Sequence, residues 1–420
     1  MSKLRNIETT KYRNIETSKK MKYNFDEIIE RRGTNCVKWD AEAPRQSGGW
    51  LPPGGIIPLW VADMDFPVAP AIQEAVRKRA EHPIYAYTLV GDDYYNAIIH
   101  WFQRRHQWTI AREHILYTIG VVPAISCTLQ ALTMAGEKVV MLSPDYNCFF
   151  SSIRNSGCEV SESVLKLSSM SLCQSDTQER FEVDWKDFET RCADEKTTVF
   201  LLCNPHNPTG RVWHRDELQR MSDICQRHHV RIVSDEIHCE LIMSGNTFVP
   251  MATVDADAIV LNSPSKSFNT AGLQIANIIC ADRETRRRID RAININEVCD
   301  VNPFGPVALI AAYNDSEQWL DELNDYLWGN YTALCDFVAK QLPKWKVMPL
   351  EGTYLAWVDV SLCCDSVAAY CEELLQEAKV WLNPGTMYGP QSGEGYLRIN
   401  LACPRSLLLE ALRRIAATKA

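Results

Sequence analysis

From about Glu113, short runs of aliphatic and β-branched residues recur at 115–120, 138–144, 198–205, 230–236, 258–266 and 274–281, with helix-length segments between most of them. Strand-length apolar runs that alternate with helix-length segments predict βαβ units, and so a mainly parallel sheet covered by helices. The segment 216–229 shows helical spacing directly, with Leu218, Met221, Ile224 and Cys225 on one face and charges on the other. Beyond about Phe304 the texture changes to long helices around 319–342, then β-rich stretches at 353–360 and 396–401, then a closing helix. The expectation is an α/β protein with a large domain over 61–304 and a smaller α+β domain built from 21–60 and 305–420. Residues 5–20 hold a near-duplicated polar octad, RNIETTKY then RNIETSKK, ending just before Met21. Two units cannot stack as a solenoid. Residues 1–20 are read as a disordered extension, with Met21 as a natural start.

Composition narrows the classes. At 420 residues the chain exceeds the roughly 250–300 residues over which a single core keeps growing, in keeping with two domains. Hydrophobic residues at 46% and charged residues at 23% lie near the globular average, which removes disordered and fibrous classes. A net charge of −9 leaves no basic field for phosphates, so neither nucleic acid nor a membrane surface is expected as a partner. No apolar run approaches the roughly 20 residues of a membrane span, and the polar N-terminus lacks a signal-peptide core, which points to the cytoplasm. Sixteen cysteines are scattered through apolar runs and read as reduced, mostly buried thiols. No pair of CxxC motifs is present, and no metal site is expected.

In open α/β sheets ligands bind beyond the carboxyl ends of the strands, so polar residues that directly follow apolar runs are the candidate chemistry. Four such ends stand out. In Gly120-Val121-Val122-Pro123 a strand meets glycine, and proline is placed to open a helix, exposing backbone N–H groups that suit a phosphate; many strand–helix turns look alike. Asn204 to Gly210 (NPHNPTG) is a rigid turn that can fix an Asn amide over a ligand, or simply a tight loop. Ser234-Asp235-Glu236-Ile237-His238 ends an apolar strand with a carboxylate whose desolvation is costly without a cationic partner; a structural ion pair is the plain alternative. Ser263-Pro264-Ser265-Lys266 places a lysine straight after a buried strand, where an ordinary loop lysine is the commoner case.

Taken together, NPHNPTG, SDEIH, SPSKSF and YLRINLACPR resemble the pyridoxal-phosphate (PLP) dependent aminotransferase class I/II superfamily over essentially all of residues 22–420. VADMDF (61–66), HPIYAYT (82–88), the His of SDEIH and KSFNTAGLQIAN (266–277) are similar to its cystathionine β-lyase and cysteine-conjugate β-lyase branch, the MalY/PatB type. The resemblance implies a PLP-dependent transferase fold of type I, aspartate-aminotransferase-like, with a seven-stranded mainly parallel sheet in the large domain. It implies Lys266 as the lysine that carries PLP as a Schiff base and later moves the α-proton. Asp235 would pair with the ring nitrogen, Asn207 with the phenolic oxygen, and Tyr146 would stack on the ring. The phosphate would rest on the backbone at Val121 and Val122, on the hydroxyls of Ser263 and Ser265, and on Tyr87 from a second subunit, implying a homodimer with the active site at the subunit interface. Arg398 would grip the α-carboxylate of an amino-acid substrate with its bidentate fork. Tyr354 and Trp60 are candidate pocket walls; core packing explains either aromatic as well.

Two departures from the broad pattern are His238, where many relatives carry tyrosine, and Gln274, where many carry a phosphate-binding arginine. They leave the phosphate grip and the role of His238 near the cofactor open. The basic run 283–291 alternates with Glu284 and Asp290 and suits a solvated helix face. The implied activity is carbon–sulfur β-lyase cleavage of L-cystathionine or another S-substituted cysteine. Transamination uses the same residues, and a regulatory binding protein retaining the fold is a third reading.

Overall fold

The computed structural model describes residues 21–44, 50–51, 55–173 and 176–419, so the expected extension at 1–20 lies outside the described residues. Seven strands form the main sheet: β1 (Ile115–Thr118), β2 (Lys138–Ser143), β3 (Glu159–Val164), β4 (Thr197–Cys203), β5 (Arg231–Asp235), β6 (Ile259–Asn262) and β7 (Ala276–Ile279). Their order is β1-β7-β6-β5-β4-β2-β3. All pairings are parallel except those of β7, which runs antiparallel to both β6 and β1. The seven-stranded, mainly parallel sheet is thus as expected. Only β3 has no counterpart among the apolar runs, because it is an edge strand whose residues alternate between buried and solvated.

A parallel sheet covered on both faces sends successive side chains to opposite cores. Val199, Leu201, Val233 and Ile259 join one cluster with helices Val121–Leu132 and Arg283–Ile295, while Phe200, Leu202 and Ile232 join another with helix Arg215–Arg227. The helix read at 216–229 therefore exists; Glu217 accepts from the His214 backbone N–H at 2.9 Å to close its first turn. The basic run lies on helix Arg283–Ile295, whose buried residues include Ile289, Ala292 and Ile293, while Arg287 pairs with Glu284 on the solvent side.

The C-terminal part carries a second, antiparallel sheet of β8 (Lys346–Val347), β9 (Leu355–Asp359), β10 (Asn383–Pro384) and β11 (Tyr396–Asn400) in the order β8-β9-β11-β10. Helix Glu317–Gln341 packs on its β8 edge and on helix Arg405–Lys419, while helix Phe304–Asp315 packs on helices Pro70–Glu81 and Asp92–His106. One continuous buried cluster runs from Phe25 and Leu59 through Trp101 and Phe268 to Leu327, Val358 and Leu412. The fifteen cysteines with described side chains are free thiols, nine of them buried. No helix among the described residues is long and apolar enough to cross a membrane.

One buried charge cluster ties the N-terminal segment to the loop after Trp60. Lys38 Nζ, fully buried, meets Asp65 at 2.7 Å and Asp63 at 3.4 Å, Arg31 pairs with the same two carboxylates at 2.6 and 2.7 Å, and the Trp39 indole donates to Asp65 at 2.7 Å. Burial alone would lower the Lys38 ammonium, but Asp65 and Asp63 outweigh it and hold the group above its ordinary value. Removing one member of such a cluster strands the others in a dry site. Lys38→Ala is expected to destabilise the protein by about 3 kcal/mol, read from urea denaturation, with Arg31 and Trp39 limiting the loss.

Candidate active site

Parallel strands bring their carboxyl ends to one edge, and register sets how closely. Asp235 at the end of β5 stands opposite Cys203 on β4 and Leu261 on β6. The turns that follow these strands, Asn204 to Asn207 and Ser263 to Lys266, therefore flank Asp235. The turn after β1 and the one after β2 open on the same side. Together they floor a cavity of about 550 Å³, within the range of small-ligand sites. β11 closes it from the other sheet, since Arg398 projects into it from a strand whose partners opposite are Trp357 and Asn383.

Of the residues singled out in the sequence, Trp60, Val121, Val122, Tyr146, Asn207, Asp235, His238, Ser263, Ser265, Lys266 and Arg398 line this one cavity, as does Gln274. Two do not. Tyr87 is 95% exposed in a segment without helix or strand and does not reach the cavity of its own chain. Tyr354 is fully buried and lies behind the wall, its hydroxyl donating to the Ala62 carbonyl at 2.8 Å. Sequence reading passed over Asn383, Tyr388 and Cys148, which also line the cavity. Tyr388 places its ring 4.6 Å from the Arg398 guanidinium and accepts a hydrogen bond from Asn383 at 3.0 Å. No motif marks them.

The electrostatics favour a ligand of particular chemistry. Asp235 is 3% exposed, and burial pushes its carboxyl up to about 7, the Ile237 N–H at 3.1 Å and Lys266 pulling back only in part while Asp145 adds to the rise. A carboxylate in that position is completed by a cation. Lys266 is enclosed by protein but keeps surface on the cavity, and its Nζ donates to the Ala62 carbonyl at 2.7 Å. Burial first and Arg398 second lower its pKa, which favours the nucleophilic free amine. Burial, Lys266 and Arg398 hold His238 well below its ordinary value, which favours the neutral imidazole, and its Nδ1 has no hydrogen-bond partner among the described residues.

Arg398 donates to Asn207 Oδ1 at 3.1 Å and to the Trp60 carbonyl at 2.8 Å, while its buried Nε has no partner among the described residues. Trp60 is itself braced by stacking on Trp381 at 4.1 Å. Helix Val121–Leu132 opens at Gly120 with no side-chain cap, leaving its first N–H groups turned to the cavity. The helix starts at Val121, two residues before the proline expected to open it. The Ser263 hydroxyl donates to the Ile275 carbonyl at 2.7 Å and accepts from the Ser265 N–H at 3.1 Å, so it shapes the turn and its proton is committed. A group with an anionic end for the helix, a protonated nitrogen for Asp235 and a carbonyl carbon for Lys266 meets every one of these demands.

Elsewhere, ligating atoms of His106, Cys239 and Glu240 lie within 4.8 Å of one another. The Glu240 carboxylate is already taken there by His106 at 2.6 Å, the Trp101 indole at 2.7 Å and Arg105 at 3.3 Å, a closed hydrogen-bonded cluster.

The family profile Aminotransferase class I and II matches residues 55–415. Cystathionine beta-lyase PatB of Bacillus subtilis is 37% identical over 398 residues, covering 94% of this chain and 99% of that protein. Protein MalY of Escherichia coli is 32% identical over 389 residues, covering 92% and 96%. The crystal structure of cystalysin from Treponema denticola, which contains pyridoxal 5'-phosphate, superposes with a TM-score of 0.87 at 31% identity, covering 95% of this chain and 99% of that one. The match over most of the chain, with the candidate residues gathered at the strand ends, shows that the protein belongs to the aminotransferase class I and II family, on the same side of it as PatB and MalY.

Proposed function

We propose that the protein is a PLP-dependent carbon–sulfur β-lyase that cleaves L-cystathionine or a related S-substituted cysteine to a thiol, pyruvate and ammonia. The observation that carries it is the placing of Lys266 in one cavity with Asp235 and Arg398, in a chain that aligns over 94% of its length with a cystathionine β-lyase. PLP fits the demands of the site and supplies an electron sink for the bond-breaking at the substrate α-carbon.

The chain's own residues would do the rest. Asp235 would face the protonated ring nitrogen, Asn207 the phenolic oxygen and Tyr146 the ring face. The N–H groups at Val121 and Val122 and the Ser265 hydroxyl would hold the phosphate. Arg398 would take the substrate carboxylate, its unpartnered Nε supplying a donor that needs no rearrangement. Lys266 Nζ would accept the α-proton, and the thiolate would leave with the electron pair of the carbon–sulfur bond.

Exposed Ile84, Tyr85, Tyr87 and Leu89 form an apolar strip suited to a second copy of the chain, which would bring Tyr87 to the partner's phosphate and make the enzyme a homodimer. We assign the large PLP-binding domain to 61–304 and the smaller one to 21–60 and 305–420. With its fifteen described thiols free, the enzyme fits the reducing cytoplasm.

The family also favours transamination as a second reading. The test is to mix PLP-loaded protein with L-cystathionine in the absence of any keto acid and to follow pyruvate. Sustained turnover is the expected result; a single conversion to pyridoxamine phosphate without pyruvate would make the protein an aminotransferase.

A further inference from the structure

Five consecutive backbone carbonyls in the loop after β-rich Ile57–Pro58 are each taken by side chains from distant parts of the chain. Trp60 accepts from Arg398 at 2.8 Å and Asn383 at 3.0 Å. Val61 and Asp63 both accept from the Asn400 amide at 2.6 Å. Ala62 accepts from Lys266 Nζ at 2.7 Å and from the Tyr354 hydroxyl at 2.8 Å. Met64 accepts from Arg31 and Asn269, each at 3.0 Å. The two cations of the site, Lys266 and Arg398, are thus moored to carbonyls two residues apart, on a loop whose position is set by Asn383, Asn400 and Asn269.

A carbonyl oxygen has two lone pairs, and at Ala62 the lysine and the tyrosine share them. Tyr354 does not border the cavity, and its hydroxyl and the Lys266 amine meet on that one oxygen. We propose that Tyr354 is a positioning residue for Lys266: its hydroxyl fixes the Ala62 carbonyl as the seat of the lysine amine and, by drawing on the same oxygen, weakens that seat's hold on the ammonium form. The positive end of the O–H dipole points toward the oxygen that the lysine also contacts, so its removal leaves a stronger acceptor and a less opposed ammonium. Both effects favour the protonated lysine. The other charged and titratable groups facing Lys266 are Arg398 from β11, Asp235 from the end of β5, His238 beyond it, Asp63 from the loop and Cys148 from helix Asn147–Asn155. Tyr354→Phe replaces none of these groups and keeps the ring that meets His238 edge-on at 5.8 Å.

The inference rests on Lys266 being the reacting amine of the proposed lyase, and it is tested without the cofactor. The full-length, cofactor-free protein is reductively methylated with formaldehyde and cyanoborohydride over a range of pH, and modification of Lys266 is read from its peptide by mass spectrometry. In Tyr354→Phe the pH midpoint is expected to rise by about half a unit, a threefold fall in free amine at a given pH below the midpoint. 3-Fluorotyrosine at 354 keeps the shape and donates more strongly, and burial keeps its phenol protonated, so it should move the midpoint down. Unchanged midpoints in both proteins, or a fall in Tyr354→Phe, would overturn the proposal. If Tyr354→Phe does not fold, the fluorotyrosine protein decides alone. Borohydride reduction of the PLP-loaded wild type checks the underlying reading separately: failure to fix the cofactor on Lys266 would remove that reading and leave the midpoint result standing.

Discussion

Lys266→Ala is expected to lower pyruvate release from L-cystathionine by at least about 10³-fold, in the upper part of the range for losing a positioned proton-transfer group. Two functions end together in this variant. In the proposed reaction the side chain would be both the amine that the cofactor's carbonyl carbon requires and the base that takes the substrate α-proton. The lowered pKa of Lys266 is what suits it to both, because an ammonium can neither attack a carbonyl nor accept a proton. Cofactor binding should weaken but persist, since Asp235, Asn207 and the N-terminus of helix Val121–Leu132 remain in place. Cofactor should therefore be released on denaturation even after borohydride treatment, whereas the wild type should retain it covalently. Added methylamine, supplying a free amine without the tether, should restore a small part of the rate. A variant retaining more than a tenth of wild-type turnover would show that another group performs the proton transfer.

Asp235→Asn is the second large effect. The amide cannot complete a protonated ring nitrogen, and kcat should fall by about 10²–10³-fold, the scale of losing one preorganised electrostatic partner in a dry site. The same substitution changes how stability depends on pH. Asp235 in the folded, cofactor-free protein has its pKa raised from 3.8 to about 7 by burial. Between those values the folded state binds more protons than the unfolded state, so stability is greatest below about pH 4 with respect to this group and is lost as pH rises through 7. The loss amounts to up to about 4 kcal/mol at neutral pH and is absent in the asparagine variant. Glu236, raised to about 8 by its own burial, acts in the same direction and remains in both proteins. Urea midpoints of the two cofactor-free proteins, taken from pH 5 to 8, should diverge as pH rises, the wild type falling faster. Parallel curves would mean that Asp235 is solvated or already paired. Cofactor binding, by supplying the cation, should flatten the wild-type curve.

The elements and the chemistry were legible in the sequence to different depths. Strands β2, β4, β5 and β6 are buried on both faces, so they read as unbroken apolar runs, and the motif residues follow them directly because the turns at their carboxyl ends are short. Strand β3 alternates Val160, Ser161, Glu162 and Ser163 at the sheet edge, and the hairpin of 166–173 with 176–182 is polar along much of its length; neither produces a run. The resemblance supplied the roles of Lys266, Asp235, Asn207 and Arg398, and the fold brings all four to one cavity.

The tertiary structure alone decided how those side chains are held. Tyr354, the residue before β9, sits behind the wall with its hydroxyl on the Ala62 carbonyl. Ser263 spends its proton on Ile275, and Arg398 reaches the site across a separation of 191 residues from Asn207 and 338 from Trp60. Local periodicity encodes which faces of an element are dry, and that information lies in neighbouring residues. Seats such as the Ala62 carbonyl are backbone atoms present at every position. Only the distant side chains that converge on them give them a function, and that convergence is settled when the two sheets pack.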